Sequence, residues 1–253
     1  MLRCERLTLA VPGRVLARDV GFEVRRGEIW AVLGANGSGK TTLVHALAGL
    51  VPAPAGTVAL DGAPLAGRPG AARASLIGIL LQQEDAEFWG SVFDYVLLGR
   101  FSRARSWYGW QSEDEDAARA ALAAVGLTDF AARGYRTLSG GERQRARIAQ
   151  LLAQDPEVLL LDEPLQHLDL RHQAAVLRLF STLARERGRA VMMVLHDALW
   201  PARICSHALL LHDDGAVESG AAGDMFARER LERLYGCPLQ EIETGGTRFF
   251  APL

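Results

Sequence analysis

Three cysteines in 253 residues are too few and too scattered to organise a fold. Cys4, Cys205 and Cys237 form no C-x-x-C pair, so neither a zinc site nor a disulfide framework is indicated. Idle thiols in a reducing compartment are the expectation. No run of about eighteen apolar residues occurs, so no segment reads as a membrane-spanning helix. The opening stretch MLRCERLTLAV holds no apolar core of the kind a secretory leader needs. Net charge is −2, which leaves no global basic field to attract nucleic acid. Internal repeats, low-complexity linkers and heptad runs are also missing. What the chain does have is apolar material: 49% of its residues are hydrophobic, enough for one large domain, or one with an inserted subdomain.

The pattern along the chain changes twice. Residues 2–33 read as strands and turns: LTLAV, a turn at Pro12-Gly13, VGFEV, a turn at Gly27, then IWAVL. A helix is expected over 41–50, a strand and tight turn at GTVAL with Asp61-Gly62, and a buried strand over 76–81. From about 84 to 155 the pattern becomes helical. SEDEDAARAALAAVGL suggests a capping box of Ser112 with Glu115, and GERQRARIAQLLAQ a helix that stops before Asp155-Pro156. Strands return at VLLL (158–161) and AVMMVL (190–195) with a helix between them. Such alternation predicts an α/β core with a mainly parallel sheet, spanning about 1–83 and 156–253, into which a helical subdomain of about 84–155 is inserted.

Three motifs carry chemistry. AVLGANGSGKTT contains Gly34, Gly39, Lys40 and Thr41 in the phosphate-loop pattern G-x-x-x-x-G-K-[ST]. Glycines let the backbone curl so that its N–H groups face inward, and the helix that follows adds its positive end. Lys40 can then reach β and γ phosphates and Thr41 can ligate Mg²⁺; Asn36, Gly37, Ser38 and Thr42 complete the loop. A strand before and a helix after are what this mechanism demands. VLLLDEP places two carboxylates at the end of an aliphatic strand, where charge is costly unless a metal or partner takes it up. Asp162 is the expected Mg²⁺ holder and Glu163 the group that polarises the attacking water. LSGGE puts Ser139, Gly140 and Gly141 at a helix start, a second anion site in one chain. A second site makes sense if it caps the nucleotide held by another copy, which implies a two-fold dimer with nucleotides at the seam.

With these three motifs in this order, the sequence resembles the ATPase subunit of an ABC transporter over essentially its whole length. That resemblance implies the ABC-type P-loop core with an N-terminal antiparallel β region, ATP and Mg²⁺ as ligands, and further roles. Gln82 matches the glutamine that senses γ-phosphate and Mg²⁺, and is preferred to Gln83 by its spacing to Ser91-Val92. Asp169 matches the aspartate that communicates across the dimer, and His196 the switch histidine at the γ-phosphate. Two departures stand out. Val11 occupies the position where the family usually carries an aromatic on adenine, and Leu165-Gln166 replace small polar residues.

VLLGR (96–100), LDLRHQ (168–173) and the tail LERLYGCPL with FFAP are similar to the branch that imports metal chelates: siderophores, haem and cobalamin. The partners implied are a second copy, an integral-membrane permease on whose cytoplasmic face the chain would sit, and a periplasmic or lipoprotein binding protein acting through it. FWGSVFDYV and SWYGW are the expected permease contact, with a groove beside Glu84 to Trp89 and Phe88 or Trp89 as anchor. The rival is an ATP-gated clamp of the same class acting on nucleic acid or ribosomes. Such relatives usually carry paired cassettes or coiled-coil arms. Arg143, Arg145 and Arg147 mimic a nucleic-acid stripe, but their acidic neighbours favour a solvated helix face, and no nucleic acid is expected as partner.

Overall fold

The computed structural model describes residues 1–82, 88–103, 109–196 and 200–253, apart from the side chain of Thr247. Two strands open the chain, β1 (Leu2–Val11) and β2 (Arg14–Val24), followed by β3 (Ile29–Gly34) and helix α1 (Lys40–Leu47). β4 (Thr57–Leu60), β5 (Ala63–Pro64), the short α2 (Gly70–Ala74) and β6 (Ile77–Leu80) come next. α3 (Val92–Leu97), α4 (Ser112–Ala124) and α5 (Gly140–Gln154) fill the middle of the chain. β7 (Val158–Asp162), α6 (Leu170–Arg187) and β8 (Ala190–Val194) restore alternation. The chain closes with α7 (Pro201–Ile204), β9 (His207–Leu211), β10 (Val217–Ala221), α8 (Ala222–Met225), α9 (Arg228–Tyr235), β11 (Leu239–Thr244) and β12 (Thr247–Pro252).

Six strands form the central sheet in the order β10-β9-β3-β8-β7-β6, with β9, β3, β8, β7 and β6 parallel and β10 antiparallel at one edge. β3, β7 and β8 are buried along their whole length, as unbroken apolar runs covered on both faces should be. Their side chains alternate between two cores. Ile29, Ala31, Leu33, Leu159, Leu161, Val191 and Met193 face α3 to α6, α8 and α9. Trp30, Val32, Val158, Leu160, Met192 and Val194 face α1 and the β2-β1-β4-β5 sheet. That antiparallel sheet explains why β1 and β2 run longer than their apolar stretches suggest. Leu2 to Cys4 pair with both β2 and β4, the latter a partner more than fifty residues away that no local pattern reveals.

The helical stretch shares one continuous hydrophobic cluster with the sheet. Gly99 lies so close to α5 that a Cβ there would stand 2.1 Å from the Gln150 carbonyl. Arg100 donates to Asp114 at 2.8 Å and to the Ala153 carbonyl at 3.0 Å, tying the segment after α3 to α4 and α5. The same contact corrects the expected cap of α4. Asp114, not Glu115, closes the box: it is buried beside Arg100 and accepts from the Gln111 N–H at 3.2 Å, so Gln111 rather than Ser112 is the N-cap. α5 is not the solvated cationic face expected either. Arg147 is buried, donating to Gln144 at 3.0 Å and to the Leu81 carbonyl. Arg145 donates to the carbonyls of Val125 and Gly126 at 3.0 and 3.2 Å, and Arg143 lies over the Tyr135 ring. Phe88 packs edge-on to Tyr95 and Tyr135, whereas Trp89 is 78% exposed with the Arg136 guanidinium over its ring. Gln83, Glu84 to Glu87, Trp107 and Tyr108 lie outside the described residues. Among the described residues no helix is long and apolar enough to cross a membrane.

Candidate active site

Parallel strands aim their C-terminal ends at one edge, and the sequence-predicted residues gather there. β3 ends at Gly34, where a Cβ would stand 2.5 Å from the Leu211 carbonyl and 2.6 Å from Ser38 Oγ. No larger residue fits. Asn36 and Gly37 are exposed at the loop's crest, and Gly37 and Gly39 take φ of 82° and 104°, open to glycine at little cost. Ser38 is buried, and among the described residues its hydroxyl has no hydrogen-bond partner. α1 starts at Gly39 with no side-chain cap, so its first N–H groups are left to the loop's interior. Lys40 is buried under the loop and donates to the carbonyls of Gly34 and Ala35 at 2.9 and 2.8 Å. Burial lowers its pKa, against the pull of Glu163, Asp162 and Asp213. Thr41 and Thr42 are half-buried in the first turn. The end of the β1–β2 hairpin flanks this loop, with Leu16 3.2 Å from the Cβ position of Gly39, while Val11 and its cross-strand partner Arg14 are exposed at the tip.

β7 delivers Asp162, wholly buried; among the described residues only the Thr41 hydroxyl approaches its carboxylate, and short of a well-formed hydrogen bond. Burial pushes its pKa up, while the nearby Thr41 hydroxyl, His45 and Lys40 draw it down and Glu163 adds to the rise. A buried carboxylate with little protein hydrogen bonding and a threonine hydroxyl beside it is a donor set suited to a hard divalent cation. Glu163 follows at φ 53°, a turn that swings its side chain out of the strand line. Gln82, just past β6, donates to Glu163 Oε1 at 2.9 Å, and His196 Nε2, just past β8, lies 2.7 Å from Oε2. Lys40, Thr41, Gln82, Asp162, Glu163 and His196 therefore form one neighbourhood built from four strand ends.

Ser139, Gly140, Gly141 and Asp169 stand on the other side of the 163–169 turn. Ser139 Oγ accepts from the Glu142 N–H at 3.3 Å and its own N–H donates to Glu142 at 2.8 Å, a complete capping box on α5. A Cβ on Gly141 would meet the His167 carbonyl at 2.9 Å. Asp169 caps α6 by accepting from the His172 N–H at 2.8 Å, which holds its carboxyl below the usual range. Among the described hydrogen bonds none joins these residues to Lys40 or Asp162. Sequence reasoning leaves Gln166 without a role, yet its amide donates to Glu163 Oε2 while Leu165 packs on the core. Gln144 and Arg147 are also unforeseen: they bind the Pro164 and Leu81 carbonyls, tying α5 to both sides of the site. An amide three residues beyond a strand-end carboxylate is the one local cue, since a tight turn brings such a pair within reach.

A family model described as ABC transporter matches residues 17–166. The chain belongs to the ABC transporter family. It is an ATPase of that family, and the likeness extends beyond the matched segment. The ferric enterobactin transport ATP-binding protein FepC of Escherichia coli (strain K12) is 37% identical, across 100% of this chain and 94% of its own length. The hemin import ATP-binding protein HmuV of Gloeobacter violaceus is 37% identical, across 100% and 93%. Among solved structures, an inward-facing metal-chelate type ABC transporter superposes with a TM-score of 0.86 at 30% identity, covering 100% of this chain and 97% of that one. A dimeric bacterial ABC transporter cassette gives 0.80 at 26%, covering 88% and 99%. The α/β ABC fold and the resemblance to the chelate-import branch, both expected from sequence, agree with these likenesses.

Proposed function

We propose that the chain powers uptake of a metal chelate (a ferric siderophore, haem or cobalamin) by hydrolysing ATP on the cytoplasmic face of the inner membrane, bound peripherally to a separate integral-membrane permease that a substrate-binding protein loads. The observation that carries this reading is a single neighbourhood of Lys40, Asp162 and Glu163 in a chain alike along its full length to ferric enterobactin and hemin import ATP-binding proteins.

Each residue then has a role. Backbone N–H groups of Gly34 to Thr42 cradle the phosphates, and Lys40 counters β and γ charge. Thr41, Asp162 and Gln82 are the residues that would hold Mg²⁺, which neutralises phosphate charge when bound. The burial of Asp162 beside the Thr41 hydroxyl, with no cationic side chain hydrogen-bonded to it among the described residues, supports that donor set. Glu163 accepts a proton from the attacking water, and His196 steadies the γ-phosphate. Ser139, Gly140, Gly141 and Asp169 serve the nucleotide of a second copy, a reading supported by the dimeric form of a related cassette. The helical stretch 84–155 acts as a subdomain against the core of 1–83 and 156–253.

Of the two aromatic anchors expected for the permease, the exposed Trp89 fits docking, whereas Phe88 is engaged with tyrosines. The test is reconstitution with a candidate permease and binding protein in vesicles. ATP-dependent uptake of one chelate is expected, and Trp89→Ala should lower uptake and permease capture while the ATPase of the isolated chain holds. ATPase stimulated by nucleic acid or ribosomes, with no permease captured from membranes, would replace the importer with the clamp.

A further inference from the structure

Among the described residues the Glu163 carboxylate meets three polar side chains, Gln82, Gln166 and His196, and they differ in how they are tethered. Gln82 follows β6 and His196 follows β8, so each belongs to a different strand from the carboxylate it meets. Gln166 lies in the same turn. Its N–H donates to the Glu163 carbonyl at 3.2 Å, and its side-chain amide donates to Glu163 Oε2. That turn is pinned from outside: Gln144, buried on α5, donates to the Pro164 carbonyl at 3.0 Å, Leu165 packs against the core, and Gln173 donates to the Leu168 carbonyl at 3.1 Å. Nucleotide-driven motion of the segments after β6 or β8 would carry Gln82 or His196 away. Gln166 would stay.

We propose that Gln166 is a positioning residue for the Glu163 carboxylate. Glu163 is buried, but its side chain keeps three rotatable bonds, and a base that must meet a water within about 3 Å loses rate when it leaves its productive rotamer. Gln166 fixes Oε2 from within the turn, which orients Oε1 toward the side that Gln82 faces. The inference rests on the reading of Glu163 as the group that accepts the water's proton. It also gives a role to the amide at this position, which donates to Oε2.

The experiment is steady-state ATPase of the full chain with Mg-ATP, with nucleotide affinity and melting temperature measured separately. Gln166→Met keeps the volume and removes the amide; Gln166→Ala removes both. Each should lower kcat about tenfold with KM and nucleotide affinity within about twofold, because the lost contact acts on the base and not on the phosphates. On a Glu163→Gln background, followed by single turnovers at high protein concentration, Gln166→Met should change almost nothing, since both substitutions act through one carboxylate. Parent-like kcat in folded Gln166→Met would overturn the inference, as would a faster rate, which would make the contact a restraint. An equal further loss on the Glu163→Gln background would also overturn it, leaving only a structural role. Glu163→Gln turning over at the parent rate would sink the reading beneath it instead.

Discussion

α1 begins at Gly39, whose φ is 104° and which offers its helix no side-chain cap. α5 begins at Ser139, whose hydroxyl and Glu142 close a capping box on each other. Both starts are glycine-rich and both come from motifs read as anion sites, yet they are built by opposite rules. A helix start leaves about four N–H groups unpaired. α1 keeps them for the loop's interior and adds the buried Lys40 ammonium, so phosphate meets donors already in place. α5 satisfies its donors from its own sequence. Its serine hydroxyl is engaged twice, accepting from the Glu142 N–H and lying against the Glu142 carboxylate. Backbone and hydroxyl of Ser139 hold the pKa of that carboxylate below the usual range, so it carries full charge where a phosphate would approach. The first start can bind on its own. The second gains by meeting a nucleotide that another copy already holds, which makes closure conditional on ATP.

The largest break in this comparison is at the first start. Lys40→Ala should weaken ATP affinity more than a hundredfold, about 2.7 kcal/mol or more, measured by titration with a fluorescent nucleotide. Glu163→Gln should leave that affinity intact, lower kcat by about two to three orders of magnitude and accumulate an ATP-bound dimer on size exclusion. A parent rate for Glu163→Gln removes its assigned role. At the second start, Gly141→Ala forces a Cβ to within 2.9 Å of the His167 carbonyl. The 163–169 turn must shift, so ATPase should fall about tenfold, roughly 1.4 kcal/mol, with binding at the first start unchanged. Normal turnover in that variant would mean the turn yields at no cost to the site.

How much of this the sequence carries depends on how local the cause is. β3, β7 and β8 are legible because a strand covered on both faces reads as a continuous apolar run. Lys40, Asp162 and Ser139 are legible because their motifs are short and their backbone demands are met within a few residues. What escapes depends on partners far along the chain. Asp114 caps α4 because Arg100 holds it, and the arginines of α5 are tied up by carbonyls of Leu81, Val125 and Gly126. Gln166 escapes for a different reason. Its partner is three residues away, but they meet only because Glu163 adopts φ 53° at the strand end, which no residue type announces.

A smaller effect sharpens what the first start reads. Val11 is exposed at the hairpin tip and gives adenine no aromatic face. With most affinity coming from phosphate contacts, kcat/KM for GTP should lie within about tenfold of that for ATP, a difference under roughly 1.4 kcal/mol. A preference of several hundredfold would show that another side chain recognises the base.

The smallest expected effect tests the charge on the second start. Glu142→Gln keeps an acceptor for the Ser139 N–H, so the cap survives, but it removes the negative charge. Two consequences oppose each other. A carboxylate near a helix start stabilises that helix by roughly 0.3–1 kcal/mol, so the isolated chain should melt slightly lower. The same charge repels an incoming phosphate, so the ATP-bound dimer should tighten, by about threefold, or roughly 0.65 kcal/mol. The measurement is sedimentation of the dimer with Mg-ATP on a Glu163→Gln background, where turnover does not drain the population. Screening gives a second handle: the gap between glutamate and glutamine should narrow as salt rises from low ionic strength, because this carboxylate is only partly buried. A dimer that weakens in Glu142→Gln, or a gap that ignores salt, would mean that Glu142 serves the second start through its hydrogen bonds alone, and the contrast between the two helix starts would reduce to geometry.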